Sequence, residues 1–580
     1  MRRPSLLPLL LALFLPLSPP ALAQWPVAQR HMIAASHPLA AEAGLAMLRE
    51  GGSVIDAAIA AQAVLTLVEP QSSGIGGGAL LLHWDAARRD LSAWDGRETA
   101  PAAAPPTLFL QDGRPMPFEE ATTGGRAVGV PGVLRMLEAA HRRHGRLPWP
   151  RLFAPAIAAA EEGFAVSPRL AAAVAAQADR LRRDPGARAL FLLPDGQPVP
   201  EGHRLRNPAL AAVLRAVAEG GADALHRGPV AADIAAAVRG SGNPGLMTAD
   251  DLAGYAPVLR EALCGPYRAV LVCGFPPPSS GGVAMLQILG VLAHQDMAAA
   301  DPRGVDAAHL LGEAGRIAFA DRNRFLGDAD HVPVPVRGLL DPGYLLLRAQ
   351  LLDIEQAISA PALRPGNPPW RTAPGTPARP ADGAAQPPRP EERGTAHLSV
   401  VDAEGNALAM TTTVEGPFGA GIVVRGFVLN NELTDFSFLP EIGGRPVANR
   451  VAPGKRPRSS MSPTLVFDAA GEPVLVLGSA GGARIIGHVA QTLAAVIDAG
   501  LEPQDAVALP RIGALDGRLE LETGTTAAAL APTLEARGFP VVVGPNTSGL
   551  QVIAVRRTPE GGRRLLGGAD PRREGVALGD

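Results

Sequence analysis

The chain has 580 residues, 47% of them hydrophobic and 19% charged, with a formal net charge of -3. That is enough apolar material for several domains of ordinary size, and the near-neutral charge leaves no footprint for nucleic acid or an anionic membrane. Gly 66 and Pro 58 are numerous but follow no fixed period, which argues against a collagen-like or repeat architecture.

The first residues read as a secretory signal. Arg2 and Arg3 supply the positive start, Leu6 to Leu17 the apolar core, and Ala21 to Ala23 the small residues before a cleavage site. The apolar run is shorter than the ~20 residues of a membrane-spanning helix. Cleavage is expected between Ala23 and Gln24, residues 1–23 being removed and the mature protein exported, as to a bacterial periplasm. No later segment has the length and composition of a membrane span.

Residues 36–70 place apolar side chains at helical spacing on both sides of "EGGS". Gly51 and Gly52 end one helix, and Ser53 caps the next. "SSGIGGGALLLHWD" is a glycine turn entering a strand. "GIGGG" has no Lys-Ser/Thr after it, so it reads as a close-packing turn and not a phosphate loop. Helices are expected near 150–163, 208–219, 229–239 and 305–324. "CGPYRAVLVCGFPPPSSGG" reads as a strand followed by a rigid proline turn. It carries both cysteines, Cys264 and Cys273. Export permits a disulfide, but a chain this large needs no staple, so two buried free thiols are expected. Two cysteines make a poor metal site, and no metal is expected.

From about Ile358 to Gly394 apolar periodicity fades and proline dominates, as in an exposed, largely unstructured linker. Such a length inside one compact domain is unusual. Strand-like sequence then begins abruptly. "AHLSVVD" and "NALAMTTT" form a hairpin across "AEG". "GFVLNNE", "PTLVFD" and "PVLVLGS" continue the sheet pattern, and "GGARIIGHVAQTLAAVIDAG" is a helix with glycines at its start. "LEPQDAVALPR" contains a shorter one. Strand pairs backed by helices indicate an α+β fold in αββα layers.

The first residue of that hairpin after Gly394 is Thr395. A Thr hydroxyl is a weak nucleophile without a base, but an N-terminal Thr carries its own in the α-amine, whose pKa lies near ~7.7–8.0. Only cleavage before Thr395 creates that state. A Pro-rich tail ending at Gly394 is what the cut leaves, and Gly394 has no side chain to obstruct attack on its carbonyl. His397 shares the strand face of Thr395, but a structural strand His is the simpler reading. "GSAGG" lacks the G-x-S-x-G order of a nucleophile elbow.

These segments, together with "ASHPLAAEAG", "DGRETAP", "VGVPG", "NNELTDFS", "KRPRSSMSPT", "GSAGGARII" and "GGADPR", resemble the γ-glutamyltransferases, self-processing N-terminal-nucleophile hydrolases. The resemblance runs from about Ala34 nearly to the C-terminus. It implies a four-layer αββα sandwich cut at Gly394-Thr395 into a large subunit, 24–394, with an exposed tail from about 358, and a small catalytic subunit, 395–580. Thr395 is then cleavage residue and nucleophile, and Thr413 hydrogen-bonds it. Gly481 and Gly482 supply oxyanion-hole N–H groups. Arg97, Ser459 and Ser460 match groups that bind the substrate α-carboxylate. Asp435 matches the acceptor of the α-ammonium, with Glu432 as a second acceptor.

Two positions depart from the family pattern. Glu415 stands where γ-glutamyl-specific members usually have Asn, and Thr434 where many have the first of two aspartates. Glu415 either receives the ammonium or pairs with a neighbouring Arg. The segment between Ser437 and Lys455 is short for a substrate lid. Some relatives with such variation resemble cephalosporin acylases, which cut glutaryl-type amides. The expected function is therefore cleavage of a γ-glutamyl amide such as glutathione, with release to water or to an amino acid or peptide amine, and no cofactor. A glutaryl acylase on the same Thr is the nearest alternative. An uncut, non-catalytic periplasmic binding protein is the alternative of another class.

Overall fold

The computed structural model describes residues 26–370, 394–515 and 517–580. The expected signal sequence and residues 371–393 of the expected tail lie outside these.

Two seven-stranded antiparallel sheets stack face to face. The first runs, edge to edge, Val576–Gly579, Met32–Ala35, Gly394–Val401, Ala407–Glu415, Gly78–Asp85, Asp90–Gly96 and Val258–Glu261. The second runs Val27–Ala28, Arg563–Ala569, Gln551–Arg557, Pro473–Gly478, Thr464–Phe467, Val270–Gly274 and Leu263–Tyr267. Helices Pro38–Arg49 and Val54–Val68 cover the outer face of the first sheet, and Gly281–Leu292 and Ile485–Ile497 that of the second, with Val305–Phe325 packed on these two helices. This is the expected four-layer α+β sandwich of the N-terminal-nucleophile type.

Period-two alternation decides what faces what. Along Gly394–Val401, Ala396, Leu398 and Val400 enter the core shared with the covering helices. Thr395, His397 and Ser399 therefore face the other sheet. There the Ser399 hydroxyl donates to the Gln551 carbonyl at 3.0 Å, and the His397 ring lies against Gly478, which has no side chain to displace it. Along Ala407–Glu415 the same rule sends Leu408, Met410 and Val414 to the helices and Thr411 and Thr413 inward.

Ser53 caps the Val54–Val68 helix in a full capping box with Asp56. Every residue of that helix is buried, because other helices close over it. The expected helices are present at Ala154–Glu162, Pro208–Gly220, Gly228–Gly240, Val305–Phe325, Ile485–Ile497 and Pro503–Ala508. Among the described residues no helix is long and apolar enough to cross a membrane.

Two expectations need correction. Cys264 and Cys273 are not free thiols but a disulfide. The segment read as one strand is a hairpin turning at Arg268 and Ala269, which sets the two cysteines directly opposite, Cα to Cα 4.1 Å. "GFVLNNE" does not extend either large sheet. Phe427–Val428 pairs only with Val423–Val424, and the chain then turns into a short 3₁₀ helix, Glu432–Asp435. The described part of the expected tail, 358–370, has no helix or strand, and it is anchored at points. Ile358 N–H donates to Glu313 at 3.1 Å, the Ile358 carbonyl accepts from Arg316 at 2.9 Å, and Gly366 N–H donates to Asp321 at 2.8 Å. Backbone bonds to buried charges hold it, and those leave no trace in side-chain periodicity.

Candidate active site

At the start of the Gly394–Val401 strand the hairpin register slips by one residue. Gly394 opposes Glu415, whereas Thr395 opposes Thr413, a bulge that re-aims the side chains beside it. The Thr395 hydroxyl donates to the Gly394 carbonyl at 2.8 Å, and the Thr413 hydroxyl donates to the same carbonyl at 2.7 Å. The two hydroxyl oxygens are 3.2 Å apart. Glu415 N–H fills the acceptor side of the Thr413 hydroxyl at 2.9 Å, which commits the Thr413 proton to Gly394. Gly394 itself is wedged in place, since a Cβ there would stand 2.2 Å from the Gln71 carbonyl oxygen.

A cleft opens beside this pair, lined by Arg97, Thr395, Thr413, Glu415, Glu432 and Asp435 and closed by Ser459, Ser460, Met461, Gly482 and Ile485. The sequence-predicted residues, scattered over nearly 400 positions, thus converge on one space. Gly481 does not line the cleft. It precedes Gly482 in the turn that enters the Ile485–Ile497 helix, with φ of 131° and 60° at the two glycines. The second is a left-handed backbone that suits glycine. Fixed backbone N–H groups near a helix start suit a developing oxyanion.

Arg97 follows the Asp90–Gly96 strand and is 1% exposed. Its guanidinium bonds Glu432 directly, Asp435 at 2.7 Å and the Pro457 carbonyl at 3.1 Å. Burial works against its charge, but Glu432, Asp435 and Glu98 outweigh that and raise its pKa above the ordinary value. Tyr255 O–H donates to the Arg97 carbonyl at 2.8 Å, fixing the backbone. Glu98, fully buried, has its nearer carboxylate oxygen 3.8 Å from Arg97. Burial pushes its carboxyl up to about 8, with Arg97 pulling the other way. Arg97 therefore sits among three carboxyl groups, those of Glu98, Glu432 and Asp435, and Glu415 lines the same cleft.

Comparison with known proteins completes the picture. The sequence profile of the Gamma-glutamyltranspeptidase family matches residues 40–580. The chain belongs to this family. It is 41% identical over 484 residues to the glutathione hydrolase proenzyme of Bacillus subtilis (strain 168), covering 83% of this chain and 80% of the relative. It is 36% identical over 557 residues to the glutathione hydrolase proenzyme of Escherichia coli (strain K12), covering 94% and 91%. Among solved structures, a cephalosporin acylase from Bacillus halodurans superposes with a TM-score of 0.83 at 29% identity, covering 98% of this chain and 99% of that one.

The chain is thus an enzyme of the γ-glutamyltranspeptidase family, and two of its motifs acquire physical content. In "NNELTDFS" both asparagines are braces. Asn430 bonds the Gly76 carbonyl at 2.8 Å and both backbone groups of Gly129 at 2.9 Å. Asn431 accepts from Gly416 N–H at 2.9 Å, steadying the loop after Glu415. Glu415 lines the cleft with φ of 75°, a strained conformation for a residue with a side chain.

His397 is not a catalytic partner of Thr395. Its ring nitrogens meet the Thr411 hydroxyl at 2.8 Å and the Ser399 hydroxyl at 3.2 Å. Burial holds its pKa down at about 3, so it stays neutral. In place of a lid, the segment after Ser437 makes only the small hairpin Glu441–Ile442 with Arg445–Pro446. Sequence reasoning missed Met461 and Ile485 in the wall of the cleft, Glu98 beneath Arg97, and Arg573, whose guanidinium donates to the Thr395 carbonyl at 2.8 Å. Glu98, Met461 and Ile485 had a local signal, inside "DGRETAP", "KRPRSSMSPT" and "GSAGGARII", and Arg573 had none.

Proposed function

We propose that this enzyme is made as a precursor that cuts itself between Gly394 and Thr395, and that the freed Thr395 then cleaves γ-glutamyl amides such as glutathione. The observation that carries this reading is the Gly394 carbonyl accepting both threonine hydroxyls. In the self-cleavage, Thr395 Oγ1 attacks the Gly394 carbon, and the negative charge developing on the carbonyl oxygen is met by the Thr413 O–H. Collapse breaks the C–N bond, the leaving nitrogen takes the proton given up by the Thr395 hydroxyl, and Gly394 remains as an ester on Thr395, whose α-amine is now free. Water hydrolyses that ester to a Gly394 carboxylate and returns the Thr395 hydroxyl.

In turnover the α-amine takes the proton of the Thr395 hydroxyl as the oxygen attacks the donor amide. The Gly482 N–H, in the wall of the cleft, receives the oxyanion, and Gly481 shapes the turn that presents it. The amine product leaves with a proton, and the acyl group remains on Thr395 until water or an acceptor amine removes it. Arg97, Ser459 and Ser460 hold the donor α-carboxylate, and Asp435, Glu432 and Glu415 the α-ammonium.

The surplus of carboxyl groups around Arg97 supports a donor head group that carries its own ammonium. The likeness to a cephalosporin acylase favours a second reading, a glutaryl donor on the same Thr395. Export follows from the expected signal sequence and is part of the proposal. Intact mass and N-terminal sequencing of the wild type beside Thr395→Ala test self-cleavage. Two wild-type chains, one beginning at Thr395, and an uncut variant are expected. A wild type that stays uncut on long incubation at neutral pH would overturn the reading and leave a binding protein.

A further inference from the structure

Arg97 presents a difficulty as the seat of a carboxylate. Two of its guanidinium nitrogens are already bonded to Glu432 and Asp435, and Glu98 lies beneath it. A substrate carboxylate that meets Arg97 meets its acidic partners as well. A second cation stands on the opposite side of the serine pair. Arg322, in the Val305–Phe325 helix and 7% exposed, donates from Nε to the Ser280 hydroxyl at 2.8 Å and from Nη2 to the Ser460 hydroxyl at 2.6 Å.

We propose that Arg322 is a positioning residue for the donor α-carboxylate, acting through Ser460. The proposal rests on the γ-glutamyl reading above. A hydroxyl has one proton. With Arg322 filling the acceptor side of Ser460, that proton turns away from the guanidinium, and the space Ser460 lines is the cleft. Ser460 thereby becomes a committed donor toward an anion, polarised by the charge behind it.

The other arm of the fork fixes the backbone of the same seat. The Ser280 hydroxyl, accepting from Arg322, donates to the Ser459 carbonyl at 2.7 Å, and Ser280 N–H donates to that carbonyl at 2.8 Å. Ser459 N–H reaches back to the Pro278 carbonyl at 3.1 Å. The Ser459 hydroxyl accepts from Met461 N–H at 3.1 Å, so it too has its proton to give. Arg322 is held in turn by Asn323 at 3.1 Å and by the Phe319 ring, 5.2 Å from the guanidinium carbon. One guanidinium thus orders "SSGG" and "RSSM", two motifs far apart in sequence, into a single carboxylate seat.

The test uses the mature two-chain enzyme, a γ-glutamyl p-nitroanilide, and a γ-aminobutyryl p-nitroanilide, which keeps the amine but lacks the carboxylate. Arg322→Met should raise KM for the γ-glutamyl donor about 10- to 100-fold, the range for losing one charge-assisted hydrogen bond, with kcat changed far less. The γ-aminobutyryl donor should keep its kcat/KM within about twofold, because no carboxylate remains to be positioned. Ser460→Ala in the Arg322→Met background should add little. Equal loss on both donors, or a fall in kcat alone, would overturn the proposal.

If Arg322→Met fails to mature, Arg322→Lys replaces it. A single ammonium cannot span both serines, so the same selective loss is expected, and equal loss on both donors again refutes it. Failure of the underlying reading looks different. The wild type itself would then cleave a glutaryl p-nitroanilide as well as the γ-glutamyl one.

Discussion

Thr413 donates its hydroxyl to the Gly394 carbonyl at 2.7 Å while accepting from Glu415 N–H at 2.9 Å. The second bond sets the direction of the first. A residue at position 413 that cannot donate leaves the Gly394 carbonyl with one hydroxyl, the one that must act as nucleophile. Thr413→Val should slow self-cleavage about 100-fold or more, the typical cost of losing one preorganised donor at an oxyanion. Thr413→Ser should retain most of the rate. The appearance of the chain beginning at Thr395, followed by mass, checks both. Equal rates for Thr413→Val and wild type would remove Thr413 from the mechanism.

Glu98 makes stability depend on pH in a definite direction. Its carboxyl titrates near 4.5 when unfolded and at about 8 in the fold. A folded pKa above the unfolded one means that the native state holds the proton more tightly. The contribution is full below the unfolded value and is lost as pH rises through about 8. Glu98→Gln imitates the protonated form. Relative to wild type, its stability should gain steadily from about pH 5 to about pH 9. Urea unfolding in the uncut Thr395→Ala background measures this. A gap that does not vary with pH would show that Glu98 is ionised throughout.

The Cys264–Cys273 bond closes a short loop, with a sequence separation of 9. By the chain-entropy estimate a loop of that size contributes about 2–3 kcal/mol. Cys264→Ser with Cys273→Ala should lose that amount in urea unfolding. Reductant should destabilise the wild type similarly and leave the double variant unmoved. A reductant effect of equal size on both would place the lost stability elsewhere.

Much of this site was legible before the fold was known, for a physical reason. The roles proposed for Thr395, Thr413, Gly394 and the Gly481-Gly482 pair are ones that few other residue types can fill. What stayed hidden depends on pairing across the chain. The disulfide was missed because "PYRAVLV" gives no turn signal beyond Arg268, whose φ of 52° is unusual for a residue with a side chain. Arg322 and Arg573 were missed because an Arg in a helix or near a terminus reads as a solvated charge. Only the fold brings one to Ser460 and the other to the Thr395 carbonyl. His397 was read as structural because that is the simpler role for a strand histidine, and only the fold shows its ring between two hydroxyl partners.

The ring of acids around Arg97 bears on the choice between the two donor classes. Asp435 lies 2.7 Å from Arg97, and Glu432 is bonded to it as well. A donor with an α-ammonium returns a positive charge to these carboxylates as its carboxylate engages Arg97 and the serines. A glutaryl donor brings only a further negative charge. The wild type should therefore prefer γ-glutamyl to glutaryl p-nitroanilide by about 100-fold or more in kcat/KM, of the order of one buried charge-assisted contact. Asp435→Asn should raise KM for the γ-glutamyl donor about 10- to 100-fold and barely touch the glutaryl one, closing the gap. Steady-state kinetics on the two donors decide the matter. A wild type that cleaves glutaryl donors as well as γ-glutamyl ones would mean that Glu415 and its neighbours have lost the ammonium, and that the acylase reading is the correct one.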